Sequence, residues 1–86
     1  PGAVLREDVV PALGISKAEL ARHLKLSRQT VYDILNGKQA ISPVVALKLA
    51  RLLGTSPELW LNMQQAHDLR IAREQLADEL DDIPLL

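Results

Sequence analysis

The stretch LSRQTVYDILNGK, residues 26–38, carries the signals of one short helix that is bounded on both sides. Ser27 is a typical N-capping residue, and the pair Asn36-Gly37 is a typical helix stop. The apolar residues between them recur at the spacing of a single helix face: Val31, Ile34 and Leu35. Polar side chains fill the rest, so the stretch predicts a helix of about two turns that packs on one side only.

The segment before it predicts a second helix, joined to the first by a tight turn. Ser16, with Glu19 three residues later, matches a capping box, and Leu20, Ala21 and Leu24 follow at helical spacing. The small side chain of Ala21 allows the two helices to cross closely. Helix, tight turn and helix over about residues 16–36 form a helix-turn-helix unit.

Three more helices follow from caps and periodicity. An N-terminal helix is indicated by apolar spacing, and Pro11 is expected to end it. Ser42-Pro43 predicts the start of a fourth helix, which runs to Leu53 and is closed by Gly54. No segment shows a strand pattern. The 86 residues therefore predict one all-α domain of five helices.

The fifth helix is expected to run from Pro57 to about Leu80, roughly 36 Å, which is longer than a core of four short helices requires. Its first half carries apolar residues expected to pack in the core: Leu59, Trp60, Met63 and Ala66. Its second half carries a further apolar stripe: Leu69, Ala72, Leu76 and Leu80. A helix that leaves its own domain with an apolar stripe usually needs a second chain. The stripe therefore predicts a homodimer seam.

Composition argues against several classes of protein. The chain has no cysteine, so it has neither disulfides nor thiolate metal ligands, which favours a cytoplasmic location. The longest uncharged run, residues 39–47, is too short to cross a membrane. His23 and His67 lack partners at metal spacing. We expect no metal, no cofactor, no membrane association and no catalytic site.

Charge divides the chain into unlike segments although the net charge is only −1. Residues 16–51 hold seven basic and two acidic side chains, a net charge of +5. Residues 52–86 hold two basic and seven acidic side chains, a net charge of −5. Such asymmetry favours two surfaces with different partners, the basic one suited to nucleic acid. A scatter of solubilising charges is the alternative.

The segment ELARHLKLSRQTVYDILNGK, followed by LKLARLLG, resembles the Xre/Cro helix-turn-helix family. With PG..LRE, GTSPE.WL and MQ..HDL included, nearly the whole chain is similar to the HigA antitoxins, also called virulence-associated protein I-like. This resemblance implies a lambda-repressor-like domain that binds double-stranded operator DNA ahead of its own operon. It also implies a cognate HigB-like toxin, an mRNA interferase, as partner. The chain departs from the family pattern at two positions. His67 stands where the family usually has tyrosine, and Lys25 stands where many members have glycine.

In a helix-turn-helix unit the second helix lies in the major groove. The inward positions leave four side chains facing the bases: Arg28, Gln29, Tyr32 and Asp33. Arg28 suits guanine O6 and N7, and Gln29 suits adenine N6 and N7. Asp33 is expected either to accept from cytosine N4 or to restrain Arg28, and Tyr32 to contact a thymine methyl or a phosphate.

Phosphate contacts, which set register without reading sequence, are expected from Lys17, Thr30, Asn36 and Lys38. If the turn requires a positive φ at Lys25, that residue is strained by about 1 kcal/mol.

Two alternatives remain open besides an antitoxin that represses its own operon. One is a stand-alone phage-type repressor without a toxin, from which only the segment SPELWLNMQQAHDL separates this chain. The other is a protein-interaction module that does not bind DNA, against which the basic central segment argues. The expected location is the cytoplasm, on the nucleoid when DNA is bound.

Overall fold

The computed structural model describes all of residues 1–86 and contains five helices and no strand. The predicted all-α class is therefore confirmed. The helices are α1 (residues 2–13), α2 (Lys17–Leu24), α3 (Arg28–Leu35), α4 (Pro43–Leu53) and α5 (Pro57–Asp81). None of them is both long enough and apolar enough to span a membrane.

Helix α1 continues through Pro11, so the expectation that this proline ends the helix was wrong. The helix contains a π-helical segment, Leu5–Val9, in which the Val10 N–H bonds to the carbonyl five residues back, that of Leu5. Pro11 then lies in the first turn of the last segment, Val10–Leu13. A proline is tolerated where the regular hydrogen-bond ladder is already interrupted, because its missing N–H costs little there. The chain leaves the helix at Gly14, which has φ +67°.

The predicted N-caps are confirmed at all four remaining helices. The hydroxyls of Ser16, Ser27, Ser42 and Ser56 each accept the backbone N–H three residues later. The capping box has both arms, since the Ser16 N–H also donates to Glu19 Oε1 at 3.2 Å. This backbone hydrogen bond is the main reason that the pKa of Glu19 lies below its ordinary value.

The core is apolar and draws on every helix. Its buried residues are Leu5, Leu20, Ala21, Leu24, Val31, Ile34, Leu35, Ile41, Val45, Ala46, Leu49 and Trp60. The predicted inward faces of α2 and α3 are therefore confirmed, as is a core position for Trp60. The Trp60 indole N–H donates to Thr55 Oγ1 at 2.8 Å, so its single polar atom is satisfied inside the fold.

Two residues predicted to pack in the core are instead on the surface. Leu59 is 44% exposed and Ala66 is also exposed. Each lies roughly 100–120° around α5 from Trp60, so both point away from the face that meets the body. Met63, closer to Trp60 around the helix, is half-buried.

The second half of α5 extends beyond the body of the domain, and the whole molecule measures 50 × 22 × 21 Å. After His67 every residue of the helix is exposed except Ala72, which is half-buried. The helix ends at Asp81, one residue beyond the predicted end. This half of α5 therefore gains little from packing against its own domain.

Candidate nucleic-acid interface

The turn between α2 and α3 has a positive φ at Lys25, the condition under which the sequence implies a cost in strain. Lys25 has φ 54° and ψ 43°, and it is the one non-glycine residue with a positive φ. The Lys48 ammonium donates to the Lys25 carbonyl at 3.0 Å. A cation at the C-terminal end of α2 is favourable, so this bond offsets part of the strain. Leu26 is half-buried in the turn.

The outward face of α3 presents a polar arc. Arg28, Gln29, Tyr32 and Asn36 are exposed, while Asp33 is half-buried. From their positions along the helix these side chains span an arc of roughly 140°. The opposite face is buried at Val31, Ile34 and Leu35, and Thr30 at its edge is half-buried. The structure thus places the four predicted base-reading side chains on one side of a single short helix.

Asp33 holds Gln29 and not Arg28. The Gln29 side-chain N–H donates to Asp33 Oδ1 at 2.8 Å, one helical turn away. The only ion pair in the chain joins Arg6 to Glu7, so the expected restraint of Arg28 by Asp33 is not formed. Arg28 stands exposed at the first position of α3.

The predicted phosphate-contacting residues flank this arc. Lys17 begins α2, and its ammonium lies 5.7 Å from the centre of the Tyr32 ring, a cation–π distance. Thr30 Oγ1 accepts from the Ser27 hydroxyl at 2.8 Å, which leaves its own hydroxyl hydrogen free to donate. Asn36 and Lys38 are exposed where the chain leaves α3.

Most basic residues of the central segment fall into two groups, and Arg22, in the last turn of α2, belongs to neither. Lys17, Arg28 and Lys38 surround the outward face of α3. Four others line a separate notch between the end of α2 and α4: His23, Lys25, Lys48 and Arg51. Lys17 and Lys25 are eight residues apart, about 12 Å along a helix. The excess positive charge therefore serves helix C-termini as well as the polar arc.

Three residues that hold α3 in place were given no structural role from the sequence, although they lie in the segments PG..LRE and MQ..HDL that carry the family resemblance. Arg6 of α1 donates to the Leu35 carbonyl at 3.2 Å, which caps the C-terminal end of α3. Gly2 is buried, and a Cβ there would overlap the Ile34 carbonyl oxygen. Gln64 of α5 accepts the Ile41 N–H at 2.9 Å and so fixes the segment that follows α3. Their role in holding α3 could not be predicted from neighbouring residues, because their partners lie 23–32 positions away.

The predicted dimer stripe is open to solvent. Leu69, Leu76 and Leu80 are 44%, 41% and 47% exposed. Nine residues separate Leu69 from Trp60, which puts Leu69 on the opposite side of α5, roughly 180° away. A second chain can therefore reach the stripe without displacing the body of the domain.

The two histidines lie on different helices, and His67 lines the same pocket as Asn36 and Lys38. His23 is exposed on α2, and the Nδ1 of the half-buried His67 lies 3.3 Å from Arg70 Nη2 on α5. No three His, Cys, Asp or Glu side chains lie together in a way that would hold a metal ion.

Comparisons with known proteins agree with this geometry. The family model described as helix-turn-helix matches residues 5–60. Antitoxin HigA-1 of Vibrio cholerae is 38% identical over 78 residues, which make up 91% of this chain and 73% of that relative. The solved structure of antitoxin GraA is 42% identical, with a TM-score of 0.94, and the match covers 100% of this chain and 94% of that one.

A third comparison involves DNA. The structure of the Pseudomonas aeruginosa antitoxin HigA with the higBA promoter is 36% identical, with a TM-score of 0.93, and the match covers 100% of this chain and 96% of that one. The fold and the polar arc thus define a helix-turn-helix protein, a class of DNA-binding regulators and not of enzymes. Within that class, the chain belongs to the HigA-type antitoxin family.

Proposed function

We propose that this chain binds the operator of its own operon as a homodimeric repressor and neutralises a cognate toxin. The observation that carries the proposal is the arc on α3, where Arg28, Gln29 and Tyr32 stand exposed on a helix whose other face is buried. The P. aeruginosa relative, solved with promoter DNA, supports the same use of the fold. The protein would act in the cytoplasm, on the nucleoid when bound.

Side chains on α3 that match base edges in the major groove read the DNA sequence. Arg28 is unpaired and offers the planar donor fork that fits guanine O6 and N7. Gln29 offers a donor and an acceptor, which fit adenine N7 and N6. Tyr32 supplies apolar contact to a thymine methyl or a hydroxyl to a phosphate. Lys17, Thr30, Asn36 and Lys38 contact phosphates on either side and set the register.

A single helix-turn-helix unit spans only a few base pairs, so tight binding needs two units about 34 Å apart along the duplex. The stripe of Leu69, Ala72, Leu76 and Leu80 is the surface that joins two copies. Its exposure on an otherwise unsupported half-helix supports this role. Burial of these leucines between two chains would also stabilise that half of α5.

The toxin, which cleaves mRNA, carries a basic surface and meets the antitoxin away from α3. The net charge of −5 in residues 52–86 is complementary to such a surface. The N-terminal helix offers a second acidic patch at Glu7 and Asp8, beside a mostly apolar groove of about 520 Å³ between α1 and α5 that Leu13, Leu59 and Met63 help to line. Binding at either place leaves the outward face of α3 open to DNA.

Substitutions on α3 test DNA reading. Arg28→Ala or Gln29→Ala is expected to weaken binding to the operator by about 1–3 kcal/mol and to relax preference at one base pair. Lys38→Ala should weaken binding to all DNA sequences alike. It should also reduce the slope of log affinity against log salt concentration by about one. Fluorescence anisotropy over a salt series measures both effects. Unchanged operator affinity in all three variants would contradict the assignment of α3 as the reading helix.

The toxin assignment is tested with the product of the adjacent gene. Co-purification should give a stable complex, and a gel shift should show DNA, antitoxin and toxin together. Charge reversal in the acidic segment, Asp78→Lys with Asp82→Lys, should weaken toxin binding and spare operator binding. A toxin that competes with the operator for Arg28 and Gln29 would refute this placement. The absence of any small basic neighbour would return the chain to the class of stand-alone repressors.

A further inference from the structure

We infer that Asp33 is a positioning residue that fixes the direction of the Gln29 amide and thereby makes this position prefer adenine and reject guanine. The inference rests on the proposed DNA binding of α3. It assigns to Asp33 a part in base discrimination that operates through Gln29. The observation behind it is the 2.8 Å hydrogen bond from Gln29 Nε2 to Asp33 Oδ1.

The chemistry of the pair allows only one arrangement of the amide. An ionised carboxylate accepts hydrogen bonds and cannot donate them. Gln29 must therefore turn its NH₂ group toward Asp33 and donate one of its two N–H hydrogens to the carboxylate. The carbonyl oxygen and the second N–H are left for an outside partner. Gln29 is thus presented as one acceptor and one donor.

That pair of groups distinguishes between the two purines in the major groove. Adenine offers the N6 amino group as donor and N7 as acceptor, which is the complement of one acceptor and one donor. Guanine offers two acceptors, O6 and N7, and needs two donors. A free glutamine can supply two donors by turning its NH₂ outward, but the bond to Asp33 prevents this.

The backbone around Asp33 is well fixed, as a positioning role requires. The Asp33 carbonyl accepts the N–H groups of Lys38 and Gln39 at 2.7 and 3.2 Å. The side chain is half-buried, whereas Gln29 and Arg28 are exposed. A carboxylate held on a fixed backbone can orient a mobile glutamine, and the bond is a charge-assisted one.

Asp33→Asn provides the test, because the new amide can donate to Gln29 Oε1 and allow the glutamine to reverse. The backbone hydrogen bonds of residue 33 are retained, so the fold should persist, as checked by thermal unfolding. The probe is a DNA duplex that the wild-type chain selects from a randomised pool. Binding is measured to this duplex and to each duplex that differs from it by one base pair. The preference for adenine over guanine at one position should fall about tenfold.

Two companion variants separate positioning from general damage. Asp33→Glu keeps an acceptor-only group and should retain the preference, at least in part. In a Gln29→Ala background, Asp33→Asn should have no further effect on that base pair, since the residue through which Asp33 acts is missing. The salt dependence should stay that of the wild type, because no phosphate contact is altered.

The outcomes are distinguishable. An adenine preference that is lost in Asp33→Asn, kept in Asp33→Glu and insensitive to residue 33 without Gln29 supports the inference. An unchanged preference in Asp33→Asn, or one that still changes in the Gln29→Ala background, overturns it while the proposed function stands. A wild-type chain that selects no duplex overturns both.

Discussion

A chain carrying Leu69→Asp and Leu76→Asp is expected to be monomeric and to bind its operator no better than random DNA. The two leucines lie on the face of α5 opposite Trp60 and are about 40% exposed in the single chain. Two buried carboxylates on each side of the seam would be desolvated and mutually repulsive. Light scattering measures the mass, and anisotropy should show affinity falling about 10³-fold or more, to the level of nonspecific binding.

A matched control adds the same charge to the same end of the chain. Ile83→Asp with Leu85→Asp alters two apolar residues that are 65% and 100% exposed beyond the helix. This variant should remain dimeric and bind the operator, provided that the stripe on α5 is the seam. A wild-type chain that is monomeric at high micromolar concentration would refute the dimer proposal outright.

Replacement of Gly2 by alanine is expected to destabilise the fold by about 3 kcal/mol. The added Cβ would overlap the Ile34 carbonyl oxygen, a backbone atom at the end of the core, so α1 must shift. Overpacking against backbone usually costs about 1–3 kcal/mol, and a shift of α1 also disturbs the bond from Arg6 to the Leu35 carbonyl. Thermal and urea unfolding measure the loss.

Gly14→Ala serves as the comparison, because the two glycines differ in the kind of constraint. Gly14 has φ +67° with no atom within 4 Å of an added Cβ, so its substitution carries backbone strain alone, about 1 kcal/mol. Gly2→Ala should cost more than Gly14→Ala. Equal losses would mean that the first turn of α1 moves aside freely, and that α1 does not brace α3.

The features that could be predicted from sequence are those with local causes. Ser16, Ser27, Ser42 and Ser56 mark helix starts by a reach of three residues, and the inward face of α3 follows from periodicity. The continuation of α1 through Pro11 was missed, because a π-helical turn depends on how α1 lies against the core. The exposure of Leu59 was missed for a related reason, since periodicity does not give the exact rotation of α5.

The candidate interface was predictable to a similar degree. The outward position of Arg28, Gln29 and Tyr32 follows once the buried face is known. The partner of Asp33 was also predictable, since Gln29 lies one helical turn before it and Arg28 lies five residues before it, about 140° around the helix. Arg28 was the partner named from the sequence, and the structure shows Gln29. The contributions of Arg6 and Gln64 depend on contacts between distant segments and leave no local pattern.

The bracing of α3 from outside has a thermodynamic consequence. An isolated helix of two turns is not stable in water, and ordering its backbone would cost about 1–2 kcal/mol per residue. In this chain Arg6 holds the end of α3 and Gln64 holds the segment that follows, so the ordering is complete before DNA arrives. Association is then free of that entropic penalty. A partner that loosened α1 would weaken DNA binding without touching any residue that contacts DNA.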